Sequence, residues 1–382
     1  MRKYILWITV LFLFAGCAKQ IDNTTYISSQ NNTNEPSMYS NSTDKTNSVT
    51  GYDERTISII SEQVSATDPQ KPKAKEKEKE KVAVVFASKI VGRYGNDAVN
   101  TIISYSMYKN IDFEIKVYDS LYENQNNIEK AFYDASRDGF KNIIALFAHD
   151  TSVEYISNIN SFRKIYIPTL HKKQSRTYNS NVLYGAIDYE EQYSKLLEFS
   201  NARITEIYDT DKISSLLSRY MASKGIPISK KYQIVKAQTN YKTLFEKNNI
   251  LADSSLFLNT TVLQSAIVLS QLRVYEVSPR VVLSTQLNYN PMILSLSQIG
   301  DRKNMLIANS IGETHPKIQA IGTMLDSDFE YNWVNFSTLI GIKELLSQND
   351  SDVSGYKIVD NQVKYDVVIY RPAEFAFVKL DR

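Results

Sequence analysis

The stretch that decides the fold runs from Lys81 to Ser152 and reads KVAVVFASKIVGRYGNDAVNTIISYSMYKNIDFEIKVYDSLYENQNNIEKAFYDASRDGFKNIIALFAHDTS. Strand-like stretches at 82–86, 113–117 and 143–147 alternate with helical patterns at 96–109 and 128–137, and the first and last of these stretches are apolar runs. An unbroken apolar run is typical of a strand that is buried on both faces. The order strand, helix, strand, helix, strand predicts parallel βαβ units with right-handed crossovers.

The same alternation continues along most of the chain. Strand-like runs follow at residues 164–170 and 182–187, and a second set of similar size extends from 203 to 308. A helix at 331–346 and paired strand signals at 357–360 and 363–370 predict a final hairpin that covers the sheet edge of one lobe. We therefore expect an α/β fold of two lobes, each a mostly parallel sheet flanked by helices, with a cleft between them. The expected lobes are about 81–187 with C-terminal segments, and about 188–330, within a domain of 81–382.

The N-terminus has the pattern of a secretory signal. Residues 1–17 read MRKYILWITVLFLFAGC, with a basic start, an apolar core and a small-residue ending. This ending resembles the bacterial lipobox, and the resemblance implies lipidation of Cys17, the only cysteine of the chain. Ala18 and Lys19 follow without an aspartate, which in Gram-negative lipoproteins implies sorting to the outer membrane. The alternative is an ordinary signal peptide or anchor with an incidental cysteine.

Residues 18–80 are expected to form a disordered tether. They are rich in Asn, Ser and Thr, and they end in the charged run QKPKAKEKEKEK at 70–81. Lysine and glutamate alternate from residue 75 to residue 81 of that run, and the whole chain has a formal net charge of only +2. We therefore expect no nucleic-acid partner. The folded region is predicted to lie at the periplasmic face of the cell envelope, held to a membrane through Cys17.

Several short matches in one order resemble the type 1 periplasmic binding proteins, in particular the branched-chain amino-acid receptors. Ser88 and Gly95 match the family's first turn and first helix, Asp138-Gly139 precedes the third strand, and Ile167-Pro168 ends the fourth. The resemblance covers about residues 82–380. It implies a two-lobed, non-catalytic protein that closes around a ligand. A similar fold in the outer-membrane lipoprotein that activates a peptidoglycan synthase implies, as an alternative, the binding of an envelope protein.

The family's amino-acid receptors hold the ligand carboxylate with Ser/Thr clusters after the third and fourth strands. Here those positions read AHDTS at 148–152 and HKKQS at 171–175, so only Thr151, Ser152 and Ser175 keep a hydroxyl. We therefore do not transfer amino-acid binding to this chain. The predicted ligand-binding residues are those at strand ends or matching family positions: Ser88, Tyr94, His149, Thr151, Ser152, His171, Ser175 and Tyr184.

Other uses of these loops stay open. His149 and His171 with Asp150 have the donor types of a metal site, but polar side chains of the cleft are the more common role for such residues. Lys172, Lys173 and their neighbours fit either a basic lip for an anionic ligand or a solvated loop.

Catalytic motifs are missing from the sequence. It contains no GxSxG, Walker A, HExxH or GxGxxG pattern. We predict no enzyme activity, no metal and no cofactor. The leading hypothesis is a periplasmic lipoprotein that binds a small polar ligand between its lobes for transport or sensing. The second is a structural or regulatory envelope lipoprotein whose cleft is vestigial.

Overall fold

The computed structural model of the chain describes residues 79–159, 161–177, 179–200, 203–348 and 351–380. The predicted signal segment, Cys17 and the tether up to residue 78 lie outside these residues. Within them the chain forms two seven-stranded sheets, each covered by helices. Each sheet defines a lobe, as the alternation of strands and helices predicted.

The first lobe is built on a sheet of order β11-β12-β5-β4-β3-β1-β2. Its strands are β1 (Glu80–Phe86), β2 (Phe113–Asp119), β3 (Asn142–Leu146), β4 (Lys164–Ile167), β5 (Val182–Tyr184), β11 (Tyr356–Val359) and β12 (Gln362–Tyr365). All neighbours are parallel except the β11–β12 hairpin. Its helices are α1 (Ser88–Val91), α2 (Arg93–Lys109), α3 (Gln125–Arg137), α4 (Thr151–Ile156), α11 (Pro316–Met324) and α12 (Trp333–Leu345).

The second lobe repeats this plan with the order β14-β13-β10-β9-β8-β6-β7. Its strands are β6 (Arg203–Asp209), β7 (Ile228–Ile234), β8 (Ser254–Asn259), β9 (Val281–Ser284), β10 (Met305–Asn309), β13 (Val368–Pro372) and β14 (Phe377–Lys379). The two last strands are antiparallel to their neighbours. Its helices are α5 (Tyr189–Leu197), α6 (Lys212–Ser223), α7 (Tyr241–Phe245), α8 (Asn249–Ala252), α9 (Val262–Val274) and α10 (Met292–Leu296).

The two apolar runs in β1 and β3 are buried on both faces of the first sheet. In β1, Val82 and Val84 enter one hydrophobic cluster with α2 and α12, while Ala83 and Val85 enter the opposite cluster with α3. Successive side chains of a strand point to opposite faces, so both faces need apolar residues when helices cover both. This explains why the sequence shows continuous rather than alternating hydrophobicity.

Two details of the predicted organisation are wrong. Residues 316–330 were expected in the second lobe, but α11 packs on α2, and Ile318 and Phe329 belong to the first lobe's hydrophobic cluster. The strand expected at 363–370 is two strands, because the chain leaves the first sheet after Tyr365 and enters the second at Val368. The chain thus crosses between the lobes three times, between β5 and α5, between β10 and α11, and between β12 and β13.

Candidate functional site

A cavity lies at the boundary of the two lobes, beyond the carboxyl ends of their strands. Its volume is about 180 Å³. Both lobes and the first crossing line it, through Ala148, Thr169, Leu170, His171, Lys173, Gln174, Ala186, Ile187, Asp188, Tyr189, Glu190, Ile213, Leu216, Tyr220, Leu287 and Trp333. We call this space the cleft cavity. Its position is the one at which α/β sheets bind ligands.

The fold places the lining residues by simple geometry. Ala148 follows β3, and Thr169 and Leu170 follow β4, so they extend from adjacent strands. Ile213, Leu216 and Tyr220 are three and four residues apart on α6 and share one face of that helix. Trp333 is the first residue of α12, which brings the first lobe's last helix to the cavity.

His171 is the one predicted ligand-binding residue that lines the cleft cavity. Its Nδ1 accepts a hydrogen bond from the backbone N–H of Lys173 at 3.1 Å, and its Nε2 lies 3.6 Å from Asp188 Oδ2. Burial lowers the pKa of His171, and the nearby Asp188 carboxylate offsets this only in part. Each of the two ring nitrogens thus lies against a fixed group of the protein.

A network of four charged side chains spans the rim of the cleft cavity and is called the rim network below. Lys173 of the first lobe donates to Asp188 Oδ2 at 2.7 Å and to Glu190 Oε2 at 2.9 Å, and Lys224 contacts the same Glu190 oxygen at 2.9 Å. Burial alone would raise the pKa of Asp188, but the hydrogen bond from Lys173 and the nearby His171 outweigh it and lower the pKa. The rim network joins the two lobes at the first crossing.

The loop after β3, where the sequence predicted three ligand-binding residues, is occupied by a side chain of the protein. The carboxylate of Glu123, only 2% exposed, accepts the backbone N–H groups of Ala148 at 2.7 Å and His149 at 3.0 Å. It also accepts the Ser152 hydroxyl at 2.6 Å and lies 3.3 Å from His149 Nδ1. The structure thus brings His149 and Ser152 together around Glu123, while Thr151 is exposed at the start of α4.

The other predicted residues lie away from the cleft cavity. The backbone N–H of Ser88 donates to Asp119 Oδ1 at 3.0 Å, and the Ser175 hydroxyl donates to the carbonyl of Thr177 at 2.9 Å. Tyr94 is 5% exposed and belongs to the hydrophobic cluster on one face of the first sheet. Tyr184 is 3% exposed and belongs to the cluster on the other face. The abundance of tyrosine in this chain makes such packing roles common.

The basic lip considered for the cleft comprised Lys89, Arg93, Lys172, Lys173 and Arg176, and three of these residues have acidic partners in the structure. Lys172 lies 2.6 Å from Asp360, Arg93 lies 3.6 Å from Asp97, and Lys173 belongs to the rim network. Among the described residues there is no group of three or more His, Cys, Asp or Glu side chains that could hold a metal ion. In the same part of the chain, no helix is both long enough and apolar enough to cross a membrane.

Sequence reasoning missed most of the cavity wall. In the sequence, Asp188 and Glu190 are identifiable only as acids at the start of a helical pattern. Leu216, Tyr220 and Trp333 are identifiable only as residues of helical patterns. The available signal was the position of Asp188 and Glu190 just after the strand-like run at 182–187, where a chain leaving one lobe enters the next. Glu123 carried no local signal, because its partners are 25 to 29 residues away.

Two sheets joined by three crossings, with a cavity between them, define a two-lobed α/β protein of the type 1 periplasmic binding-protein fold. This confirms the fold class and the resemblance predicted from the sequence. One similar solved structure is a putative branched-chain amino acid ABC transporter from Rhodospirillum rubrum, with 10% identity over 79% of this chain and 100% of that chain and a TM-score of 0.57. A second, from Thermus thermophilus, is a branched chain amino acid ABC transporter with bound valine. It has 13% identity, covers 80% of this chain and 96% of that chain, and has a TM-score of 0.56.

A third similar structure is the C-domain of LpoA from Haemophilus influenzae, described as a regulator of PBP1A. It has 12% identity, covers 79% of this chain and 100% of that domain, and has a TM-score of 0.52. No protein-family model matches the sequence, and no match was found among the curated proteins. The similarity therefore establishes the fold, and both functions named for these neighbours are compatible with it.

Proposed function

We propose that this chain is a non-catalytic protein of the cell envelope that binds a small molecule in the cleft cavity, for transport or sensing. The observation that supports this most strongly is that the cavity takes its walls from both lobes, with Leu170 and Trp333 on one side and Leu216 and Leu287 on the other. A molecule bound there contacts both lobes and stabilises their closed arrangement. The three crossings then act as the hinge between an open and a closed state.

A thermal-shift screen against a broad library of metabolites tests this function. We expect at least one compound to raise the melting temperature of the protein in a saturable way, because a ligand that binds only the folded state stabilises it by mass action. Leu216→Glu places a carboxylate in the cavity wall and should abolish the shift. Leu263→Glu, at a residue 53% exposed on α9 that does not line the cleft cavity, is the matched control and should keep it. A broad library without a single saturable shift contradicts the proposal.

The second candidate is an interaction protein of the envelope, and the Glu123 contacts favour it. The carboxylate of Glu123 already occupies the loop after β3, and this is the loop that the family resemblance associates with ligand binding. The similarity to the LpoA C-domain fits this function as well. Its test is the activity of a purified peptidoglycan synthase with and without this protein. Stimulation that persists in Leu216→Glu supports a role independent of the cleft cavity, and an unchanged rate argues against a role as activator.

We also propose that Cys17 carries the lipid anchor at the outer membrane. The support is the signal-like sequence of residues 1–17 and its lipobox-like ending, which lie outside the described residues. Growth with labelled palmitate should label the protein, and Cys17→Ala should remove both the label and the membrane association. A Cys17→Ala protein that still fractionates with the outer membrane contradicts the anchor.

A further inference from the structure

The charged groups that line the cleft cavity are paired with one another. Lys173 lies between Asp188 and Glu190, at 2.7 Å and 2.9 Å, and Lys224 reaches Glu190 from α6. The other carboxylate oxygen of Asp188 accepts a hydrogen bond from the backbone N–H of Glu190 at 2.9 Å, and Asp188 is the N-cap residue of α5. No lining charge is thus left without a partner of opposite sign within the described residues.

A charged ligand has to compete with these internal partners. A free amine would replace Lys173, whose ammonium group is tethered beside the two carboxylates and has an effective concentration on the order of millimolar. A free carboxylate would replace Glu190 between two lysines and leave a protein carboxylate without its partners. Neither exchange forms a new type of contact, so either ligand gains little from its charge and still loses its own hydration.

The groups that remain available are uncharged. Tyr189, Tyr220 and Trp333 line the cavity, and their hydroxyl and indole N–H groups form no hydrogen bond with the described residues. Burial raises the pKa of both tyrosines, which keeps their hydroxyls protonated. Trp333 as a whole is only 9% exposed. The Thr169 hydroxyl, in contrast, is already bonded to the N–H and carbonyl of Phe147.

Apolar side chains form the rest of the wall and set the size of the ligand. Leu170, Ile187, Leu216 and Leu287 contribute from both lobes. The cavity volume of about 180 Å³ is somewhat larger than the cavity of about 150 Å³ that holds benzene in an engineered protein core. A single ring or a branched chain of similar size fits this space.

We infer that the cleft cavity accepts an uncharged small molecule, with an apolar body of about one ring and a hydroxyl or carbonyl group that bonds Tyr189, Tyr220 or Trp333. This inference rests on the proposed function of the cleft and names the class of its ligand. It excludes amino acids and organic anions as the preferred ligands.

Trp333 provides a direct test, because the chain has only two tryptophans, Trp7 and Trp333. In the full chain carrying Trp7→Phe, tryptophan emission reports on the cavity wall alone. Three probes share one ring and differ in charge near neutral pH: benzyl alcohol, benzylamine and benzoate. We expect a saturable change of emission with benzyl alcohol, at a dissociation constant about tenfold lower than for either charged probe.

Variants separate a specific contact from general hydrophobic binding. Tyr220→Phe should weaken benzyl alcohol binding about three- to tenfold, the effect of one lost neutral hydrogen bond. Tyr133→Phe, at a tyrosine 67% exposed on α3, is the control and should change nothing.

The outcomes distinguish this inference from the proposed function. If benzylamine or benzoate binds as tightly as benzyl alcohol, the inference is overturned while a ligand-binding cleft stands. If no probe binds, the first compound found in the thermal-shift library decides: an uncharged compound supports the inference and a charged one overturns it. If neither experiment finds a ligand, both the inference and the proposed function fall.

Discussion

The carboxyl edges of the two sheets face the same cleft but are built in different ways. At the edge of the second sheet most of the polar residues at the ends of β6, β8, β9 and β10 are buried: Asp209, Asn259, Thr260, Thr261, Ser284, Thr285, Gln286, Asn288, Asn309 and Ser310. Some bond to one another across strands, as when the Ser310 N–H donates to Gln286 Oε1 at 2.6 Å. Gln192 of α5 joins them, donating to Ser310 at 2.6 Å and accepting from the Gln286 N–H at 2.8 Å. Among the described residues, Thr285 Oγ1 and Asn288 Oδ1 are buried without a hydrogen-bond partner. At the first sheet, His149, Thr151 and Lys173 remain partly or largely exposed.

The difference indicates which lobe can adapt. A buried and mutually bonded edge is expensive to rearrange, because each broken bond leaves an unsatisfied group away from water. The first lobe's edge depends on Glu123, which contacts the partly exposed His149, and on the rim network, whose Lys173 is 56% exposed and can exchange its partners for water. We therefore expect changes in ligand preference to come from the first lobe and from α6, with the second sheet's edge acting as a rigid platform.

Asp209→Ala should have the largest effect on stability. The buried Asp209 carboxylate accepts the backbone N–H of Thr261 at 2.9 Å, the Thr261 hydroxyl at 3.1 Å and the N–H of Asp211 at 2.8 Å. Without the carboxylate, these three donors have no acceptor. This loss should lower the free energy of unfolding by about 3 kcal/mol. Urea denaturation measures this, with Asp209→Asn as the control that keeps one acceptor. A loss no greater than that of Glu123→Ala contradicts the comparison between the two edges.

Glu123→Ala should destabilise the protein less, by about 1–2 kcal/mol. Its partner Ala148 lines the cleft cavity and the side chain of its partner His149 is 35% exposed, so water can replace the carboxylate once it is gone. Urea denaturation gives the free energy, and amide hydrogen exchange should accelerate at Ala148 and His149. The control is Glu114→Ala, which removes a carboxylate that is 45% exposed and paired with Lys81. Unchanged exchange at both amides would show that the Glu123 contacts do not hold this loop.

Lys173→Gln should change the stability by less than about 1 kcal/mol, because the lysine side chain is 56% exposed and solvent screens its ion pairs. The difference from the unmodified protein should shrink further as salt is added. Thermal unfolding at low and high ionic strength measures both effects. A large, salt-independent loss would mean that the rim network is not a screened surface feature but a buried connection between the lobes.

His171→Asn should have the smallest effect, visible only as a change in pH dependence. The folded state has the lower pKa at His171, so below its ordinary value near 6.5 the unfolded state binds the proton more readily. Stability should therefore fall as the pH drops through this region and be unaffected well above it. Asparagine keeps a side-chain acceptor for the Lys173 N–H but does not titrate. If the variant and the unmodified protein lose stability in parallel over this range, His171 is not responsible.

The sequence predicts the sheets better than it predicts the site, and the reason is the range of the interactions. The run at 143–147 is apolar because both faces of β3 are covered, so a local pattern carries the information. The segment at 363–370 has one continuous β pattern, yet its two halves join different sheets at a crossing without turn residues. The choice of sheet depends on neighbours far along the chain, such as Tyr184 beside Gln362 and Ile307 beside Tyr370.

The cavity wall shows the same limit. Leu216 and Tyr220 lie four residues apart on a helix, which predicts a common face but not whether that face meets a core or a cleft. The contacts of Glu123 with the loop after β3 require α3 to fold back over the sheet before the carboxylate can reach Ser152. The position of His171 at the cleft could be predicted from the sequence, because this residue directly follows a recognisable strand-like run.

The three crossings also determine the order in which the two sheets can be completed during synthesis of the chain. The first lobe's sheet gains β12 only after all five parallel strands of the second lobe have been made, and the second lobe waits for β13 and β14. The first sheet is complete once residue 365 has been synthesised, and the second only at residue 379. Such interleaving gives many contacts between distant parts of the chain, which slows folding. A chain that stops at residue 366 would contain a complete first sheet and an unfinished second one. Early termination should therefore appear as a folding defect of the second lobe.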